Sequence, residues 1–480
     1  MRISIQDRPI SSSKQTDFMT RNSWAELARG LALALAALLF LAGPASGAVK
    51  LPHIVIHSFQ LKNGLRVYMV EDHQAPVASV NVWYHVGSKD ERTGGTGFAH
   101  LFEHLMFQGT ASVSPEQFSD YIVRTGGVDN AYTTEDATVF WETFPSNQLP
   151  LVLWLEADRM RNLEITDPIF KNEREVVKEE RRMKFDNPPY GTVIEKLYEA
   201  AFAVHPYHHM TIGSMADLDR ASLGDIRSFY DTYYVPNNAA LVIVGDIVRS
   251  DAEDLVRKYF DPVAAGPPIS RRIPVEPAQQ AERRLKLAQD VSLPAFVEGF
   301  HMPADGTPDS YPLRLAAKIL SEGESSRIYR RLVYEKQVAV EAESSADFTE
   351  DPNLFFVFAV MNDGFAPERG LAEVATELER LENDPVSSAE LAKAQHQILR
   401  TFIKGRETSE SLADELGYDA VVLKDPELVN DEPARFLAVT PEDIQSAARK
   451  YFARENATVV EVYPRTASGT RTGRGEEKHY

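Results

Sequence analysis

The chain has 480 residues, 51 of them Lys or Arg and 71 Asp or Glu, for a formal charge of −20; 43 % are hydrophobic and none is cysteine. Length and apolar content suffice for two to four packed domains of roughly 100–200 residues each, which excludes disorder as the general state. The acidic balance argues against a nucleic-acid partner, and the missing cysteines exclude disulfides, thiolate nucleophiles and Cys-based metal sites, so a metal must be held by His, Asp or Glu.

Residues 31–42, LALALAALLFLA, are preceded by Arg21 and Arg29 and followed by Pro44 and the small-residue site Ser46-Gly47-Ala48. This is the layout of a secretory signal peptide over residues 1–48. As a helix the run covers about 18 Å, short of a bilayer core of roughly 30 Å; an uncleaved inner-membrane anchor is the alternative. Met19 offers a second start. Residues 1–48 hold five basic and three acidic residues, which leaves −22 on the chain from Val49 onward. The expectation is a periplasmic or secreted protein with no stable membrane insertion after cleavage. Absent cysteines suit such an oxidising compartment.

Residues 65–70 and 78–84 are β-branched and aromatic and predict strands, with helices following. The expected class is α+β, helices packed on mostly antiparallel sheet. Residues 97–107, GFAHLFEHLMF, read as a helix with one polar stripe. At 100° per residue His100, Glu103 and His104 share a narrow arc, and apolar side chains fill the rest. Such a helix is buried, so its stripe must face something that satisfies two imidazoles and a carboxylate. Zinc does so: histidines at i and i+4 reach one tetrahedral ion, and Glu103 stands beside them over the metal-bound water; a pair of buried core histidines hydrogen-bonded to Glu103 is the alternative. An H-x-x-E-H is expected by chance only about 0.02 times in a chain with this histidine content.

A catalytic zinc needs a third protein ligand and an open position. Residues 167–184 predict a helix with Asp167 as N-cap and Pro168 at its first turn. The expected buried face is Ile169, Val176, Val177 and Met183, with Glu173 and Glu180 on it, seven residues apart. Glu175 and Glu179 face outward, in pairs such as Glu175–Lys178 and Glu179–Arg182. Glu180 is therefore the expected third ligand, and Glu173 a carboxylate orienting a histidine.

An internal repeat follows. Asp225-Ile226, Ser228, Tyr233-Tyr234, Asn238-Ala239 and Val242-x-Val244 recur as Asp443-Ile444, Ser446, Tyr451-Phe452, Asn456-Ala457 and Val460-x-Val462, every pair offset by 218. Each copy reads as a helix, a turn and a strand. Between the copies, residues 261–284 carry five prolines and end before a strand-like run at 293–300. The expected organisation is an N-terminal zinc-binding domain over 49–262, a linker at 263–284, a homologous zinc-less domain over 285–464 and a tail over 465–480. The second half has no H-x-x-E-H, so one zinc per chain is expected. Gly95-Thr96-Gly97 lacks the third glycine and preceding strand of a dinucleotide loop, and no G-x-S-x-G occurs.

The H-x-x-E-H of His100 to His104, with Glu180 lying 76 residues beyond His104, resembles the inverted zinc motif of the pitrilysin/insulinase (M16) metallopeptidases, which include the mitochondrial processing peptidases. Residues 127–133 (GVDNAYT) resemble that family's edge strand, Glu173 to Glu180 its E-x(6)-E element, and residues 233–246 the strand near the end of its first domain. The resemblance spans the whole mature chain and points to its short two-domain bacterial type. It implies two homologous α/β-roll domains, zinc on His100, His104 and Glu180, Glu103 as general base, Glu173 in support, and Asn130 and Ala131 holding substrate as an added strand. The implied activity is endopeptidase cleavage of short or unfolded polypeptides; a noncatalytic zinc-containing scaffold subunit is the alternative. The sequence departs from the family at residues 332–340, LVYEKQVAV, where active members resemble L-R-E-K-x-G-L-A-Y. Arg327, Arg331 and Tyr334 stand nearby. Either they act in place of the missing pair, or a homologous zinc-less subunit supplies it in a heterodimer; a homodimer is the other assembly considered.

Overall fold

The structure, a computed structural model, describes residues 51–115 and 117–465. The expected signal segment 1–48, with Met19, and residues 466–480 of the tail lie outside the described residues.

The first half builds a six-stranded sheet from β1 (His57–Gln60), β2 (Arg66–Glu71), β3 (Val77–Tyr84), β4 (Val128–Thr133), β5 (Thr138–Pro145) and β6 (Ala239–Gly245), in the order β1-β2-β6-β3-β5-β4. Only β2 and β6 run parallel. β6 is buried at every position, because both faces of the sheet are covered, and its sequence AALVIVG is accordingly apolar without alternation. One face carries the half's own helices: α1 (Phe98–Leu105), α2 (Gln117–Arg124), α3 (Leu149–Asn162), α4 (Asp167–Arg181), α7 (Leu223–Tyr233) and α8 (Arg249–Phe260). Between α4 and α7 run α5 (Val193–Ala201) and α6 (Met215–Arg220).

The second half repeats the plan. Strands β7 (Arg283–Gln289), β8 (Ala295–His301), β9 (Ala339–Ala346), β10 (Leu354–Met361) and β11 (Ala457–Pro464) are ordered β7-β11-β8-β10-β9, with β7 and β11 parallel. Its helices are α9 (Ser310–Ser321), α10 (Pro367–Asn383), α11 (Ser388–Gly405), α12 (Ser409–Val421), α13 (Leu428–Ala438) and α14 (Pro441–Tyr451). The fold is thus α+β with two mostly antiparallel sheets. The 218-residue repeat has a three-dimensional counterpart: α7 and α14 each begin with a reciprocal capping box, Ser222 with Asp225 and Thr440 with Asp443. Asn238 Nδ2 donates to the carbonyls of Tyr233 and His85, and Asn456 Nδ2 to those of Tyr451 and His301.

The halves are joined by exchange of one helix each. Leu412, Ala413, Leu416 and Ala420 of α12 pack on Trp83, Val242 and Val244, the face of the first sheet that its own helices leave open. Reciprocally, Val193, Leu197 and Ala201 of α5 pack on Ala295, Val297 and Val460 of the second sheet. Each Leu contributes roughly 1.5–3 kcal/mol by leaving water. The fit requires glycine on opposite partners: a Cβ at Gly417 of α12 would meet Trp83 Nε1 at 2.0 Å, and one at Gly299 of β8 would meet Leu197 at 3.0 Å.

Candidate metal centre

Helix α1 is nearly all apolar, and Phe98, Ala99, Leu101, Phe102 and Leu105 are buried. Phe102 stacks on Phe229 and Tyr230 of α7. Its N-terminus is held by a carboxylate from outside the helix: Glu91 accepts the backbone N–H groups of Gly97 and Ala99 at 2.8 Å each. Its two oxygens satisfy N–H groups that the start of a helix leaves unpaired. Burial outweighs these bonds and pushes the Glu91 carboxyl well above the usual range.

Helix α4 lies against α1 and is fixed at both ends. Thr166, not Asp167, is its N-cap, accepting from Ile169 N at 3.5 Å; Asp167 is the first helical residue and instead pairs with Lys171. The expected buried face is corrected as well. Val177 is buried, but Val176 is 44 % and Met183 66 % exposed, and the buried positions are Phe170, Glu173, Val177, Lys178 and Arg181. Arg181 donates to Gly213 O at 2.6 Å and to both oxygens of Glu195 at 3.0 and 2.9 Å. Gly213 in turn abuts Gly97 at the start of α1, where a Cβ on Gly213 would lie 2.3 Å from Gly97 N. Its φ of +71° adds a second reason for glycine. One loop therefore registers the start of α1 against the end of α4. Immediately after Arg181 the helix widens into a π turn, Arg182–Asp186.

The two helices bring together His100, His104 and Glu180, with one ligand atom from each within 4.8 Å of the others. Glu180 Oε2 lies 3.6 Å from His100 Nε2 and 3.4 Å from His104 Nε2. A tetrahedral ion at about 2.0–2.1 Å separates its ligand atoms by roughly 3.3 Å, so the spacing fits zinc. Glu180 Oε2 is also buried without a hydrogen-bond partner, a carboxylate oxygen aimed at two imidazoles, while Oε1 accepts from Lys184 at 2.6 Å. The three side chains are 13–23 % exposed and so remain partly accessible to solvent. Among the described residues no other group of His, Asp and Glu is so placed.

The charges are distributed unevenly. Burial, together with the neighbouring His104, lowers His100 to about 4 and keeps its imidazole neutral. Burial also opposes charge on His104, but Glu173 and Glu180 outweigh it and hold its pKa above the usual value. Glu173 Oε2 stands 3.6 Å from His104 Nδ1, and its Oε1 accepts from Asn172 at 3.0 Å. Burial disfavours charge on Glu180 too, yet Lys184 and the two histidines bring its carboxyl below the ordinary range.

Glu103 shares the stripe and accepts a 2.6 Å hydrogen bond from Thr133 Oγ1 at the end of β4. Burial raises its pKa, and the Thr133 bond partly offsets this. β4 is the outer strand of its sheet, beside α1. Its Ala131 packs against the helix-side core, and the Ala131 N–H is taken by the Asn130 side chain at 2.9 Å and not by a neighbouring strand. The residues expected for substrate thus lie at a sheet edge. Arg327 and Arg331 are already engaged within the second half, Arg327 with both oxygens of Glu390 at 2.8 and 3.1 Å, Arg331 with Glu373 and Glu377 at 2.6 and 3.2 Å. Tyr334, 55 % exposed, donates to Glu324 at 3.2 Å. Thr133, Glu91, Arg181 and Gly213 escape a reading of the sequence; only Thr133 carried a signal, as a polar residue two positions from Ala131 and so on its face of the strand.

The chain is similar to known proteins over most of its length. Residues 66–214 match the family model described as Insulinase (Peptidase family M16), and residues 220–398 the model described as Peptidase M16 inactive domain. The chain is 33 % identical over 415 residues to the zinc protease PqqE of Helicobacter pylori, covering 85 % of this chain and 92 % of that one. It is 23 % identical over 414 residues to a protein described as the probable mitochondrial-processing peptidase subunit beta of Arabidopsis thaliana, covering 84 % of this chain and 77 % of that one. Among solved structures, a protease from Helicobacter pylori superposes with a TM-score of 0.82 at 32 % identity, covering 86 % of this chain and all of the other. The first half of the periplasmic protease PqqL of Escherichia coli shares the fold with a TM-score of 0.70 at 18 % identity, covering 87 % of this chain and 94 % of that one. The chain belongs to the M16 peptidase family, in its two-domain bacterial form.

Proposed function

We propose that this chain is a zinc-dependent endopeptidase acting on short or unfolded polypeptides. The observation that carries the reading is Glu103, a carboxylate fixed by Thr133 beside His100, His104 and Glu180. A scaffold needs no such general base. His100, His104 and Glu180 hold the zinc, which when bound supplies a Lewis acid for water and for the scissile carbonyl. Glu103 takes the proton of the attacking water and delivers it to the leaving amine. Glu173 keeps His104 oriented, and the free edge of β4 at Asn130 and Ala131 aligns the peptide as an added strand. The family model that carries the word inactive matches residues 220–398, a span that includes none of His100, Glu103, His104 and Glu180.

Measuring bound zinc together with cleavage of an unstructured peptide, with and without a chelator, tests the reading. One zinc per chain and chelator-sensitive cleavage are expected, and zinc without cleavage would return the scaffold alternative. Glu103→Gln keeps zinc and loses turnover; an active E103Q protein removes Glu103 from the mechanism. Because Arg327 and Arg331 are tied in ion pairs, a homologous zinc-less subunit completes the substrate site, and full activity of the purified chain alone would refute that. The division at 49–262, 263–284 and 285–464 and cleavage after Ala48 into the periplasm belong to the same reading; a mature N-terminus at Val49 is its readout.

A further inference from the structure

Residues 182–192 are all that separates α4, which carries Glu180, from α5, the helix that packs on the second sheet. One short covalent link therefore joins a candidate metal ligand to the packing of the second half. It begins with the π turn Arg182–Asp186, closed by Asn187 N donating to Arg182 O at 2.9 Å. Within that turn Lys184 donates to Glu180 Oε1 at 2.6 Å, which leaves Oε2 turned to His100 and His104. The placement of the turn thus sets the direction of the carboxylate.

The link has no slack. A Cβ at Gly191 would stand 2.3 Å from Phe185 O, so the loop folds back directly onto the π turn. Its neighbour Tyr190 has a φ of +61°, a conformation that a residue with a bulky side chain rarely adopts. What holds Tyr190 there belongs to the second half. Its hydroxyl donates to Leu293 O at 2.8 Å, and its ring meets Phe358 of β10 edge-on, with the centroids 6.0 Å apart. Two residues on, Thr192 Oγ1 accepts from Gln289 Nε2 at 3.1 Å, and Val193 then opens the face of α5 that packs on Ala295 and Val297. Backbone strain persists only where the surroundings over-determine it, and π turns recur at functional positions. Here the surroundings are the second sheet, and the position is the turn that follows Glu180.

We propose that the second half, which carries none of the candidate ligands, sets the metal affinity of the first through this link, with Tyr190 as the positioning residue that holds the π turn and so Glu180. The proposal rests on the zinc reading above. Such coupling is reciprocal: what the second half does for zinc, zinc does for the second half. In the wild-type full chain, zinc therefore slows hydrogen exchange in α1 and α4 and also in residues 187–201 and 289–297. Slowing confined to α1, α4 and the π turn overturns the proposal without any variant. Zinc affinity, read by competition with a chromophoric chelator, falls about 10–100-fold in Tyr190→Gly, although glycine suits a φ of +61° better. Tyr190→Phe keeps the ring and stays within about threefold of the wild type, and the absorption bands of bound Co(II) shift in the glycine variant alone. Leu416→Ala, at the other exchanged helix, is the control: it lowers the urea midpoint measured in chelator and leaves zinc affinity within about twofold. Wild-type zinc affinity in Y190G, or a loss in L416A as large as that in Y190G, overturns the link. A wild-type chain that binds no zinc removes the metal-centre reading itself, whereas zinc binding and cleavage indifferent to Tyr190 leave that reading and remove this one.

Discussion

Replacing Arg181 with Met separates the stability of the fold from the placement of Glu180, its neighbour in the chain. The substitution removes three charge-assisted hydrogen bonds, two to Glu195 and one to the Gly213 carbonyl, and leaves Glu195, itself 9 % exposed, as a buried carboxylate without its partner. Breaking one side of such a pair costs about 3–5 kcal/mol, a large part of the roughly 5–15 kcal/mol that stabilises a domain. Urea unfolding in chelator measures this without the contribution of bound metal, and a lower midpoint with an unchanged m value is expected. Because Gly213 is also the contact point of α1, the last turn of α4 loses its register, and zinc affinity, read by competition with a chromophoric chelator, falls about 10–100-fold. In R181M/E195M the carboxylate is gone too, so most of the stability returns while zinc affinity stays low. Wild-type zinc affinity in R181M, or its full recovery in the double variant, would refute the argument that this clamp positions Glu180.

Thr133→Val removes the hydroxyl that holds Glu103, so kcat drops with KM and zinc content unchanged; a change in KM alone would contradict this positioning role. Gly213→Ala places a methyl 2.3 Å from Gly97 N at a φ of +71°, and a loss of more than about 2 kcal/mol together with weakened zinc binding should be visible in thermal unfolding and metal titration. Glu298 on β8 lies far from the metal centre in the chain, and burial, reinforced by Glu282 and opposed by Arg284 and Arg454, raises its carboxyl to about 7. A raised folded-state pKa gives stability that is complete below the unfolded value of about 4.5 and lost as pH climbs through 7. Glu298→Gln therefore unfolds at higher denaturant than the wild type at pH 8, by up to about 3 kcal/mol, with the gap closing near pH 4.5. Equal midpoints at pH 8 would show that Glu298 keeps no penalty in the folded chain.

The candidate metal cluster is legible in the sequence because two of its three side chains sit on one helix. Positions i, i+3 and i+4 share a face whatever the rest of the chain does, so the stripe of His100, Glu103 and His104 follows from local geometry. Glu180 is an acid on the inner side of the next suitable helix, and the structure brings it to the two histidines although the buried face of that helix differs from the expected one. Val176 and Met183 are apolar, and that alone predicts them to be core. They are exposed, and the interior side of α4 takes Lys178 and Arg181 instead. The reason is that Arg181 meets Glu195, and Lys178 meets Asp219, from segments that no periodicity connects to α4. Thr166 displaced Asp167 as N-cap for a smaller reason, one residue of slack at a helix start.

By itself the sequence determined the α+β class, the 218-residue duplication, the helical stripe and the exclusion of every thiolate ligand, all properties carried by short-range spacing or by composition. Only the tertiary structure decided that α5 and α12 are exchanged between the sheets, that a loop at Gly213 sets α1 against α4, and that Thr133 holds Glu103. Those contacts join residues tens to hundreds of positions apart. Their partners are chosen by the shape and burial of surfaces that exist only once both halves have packed.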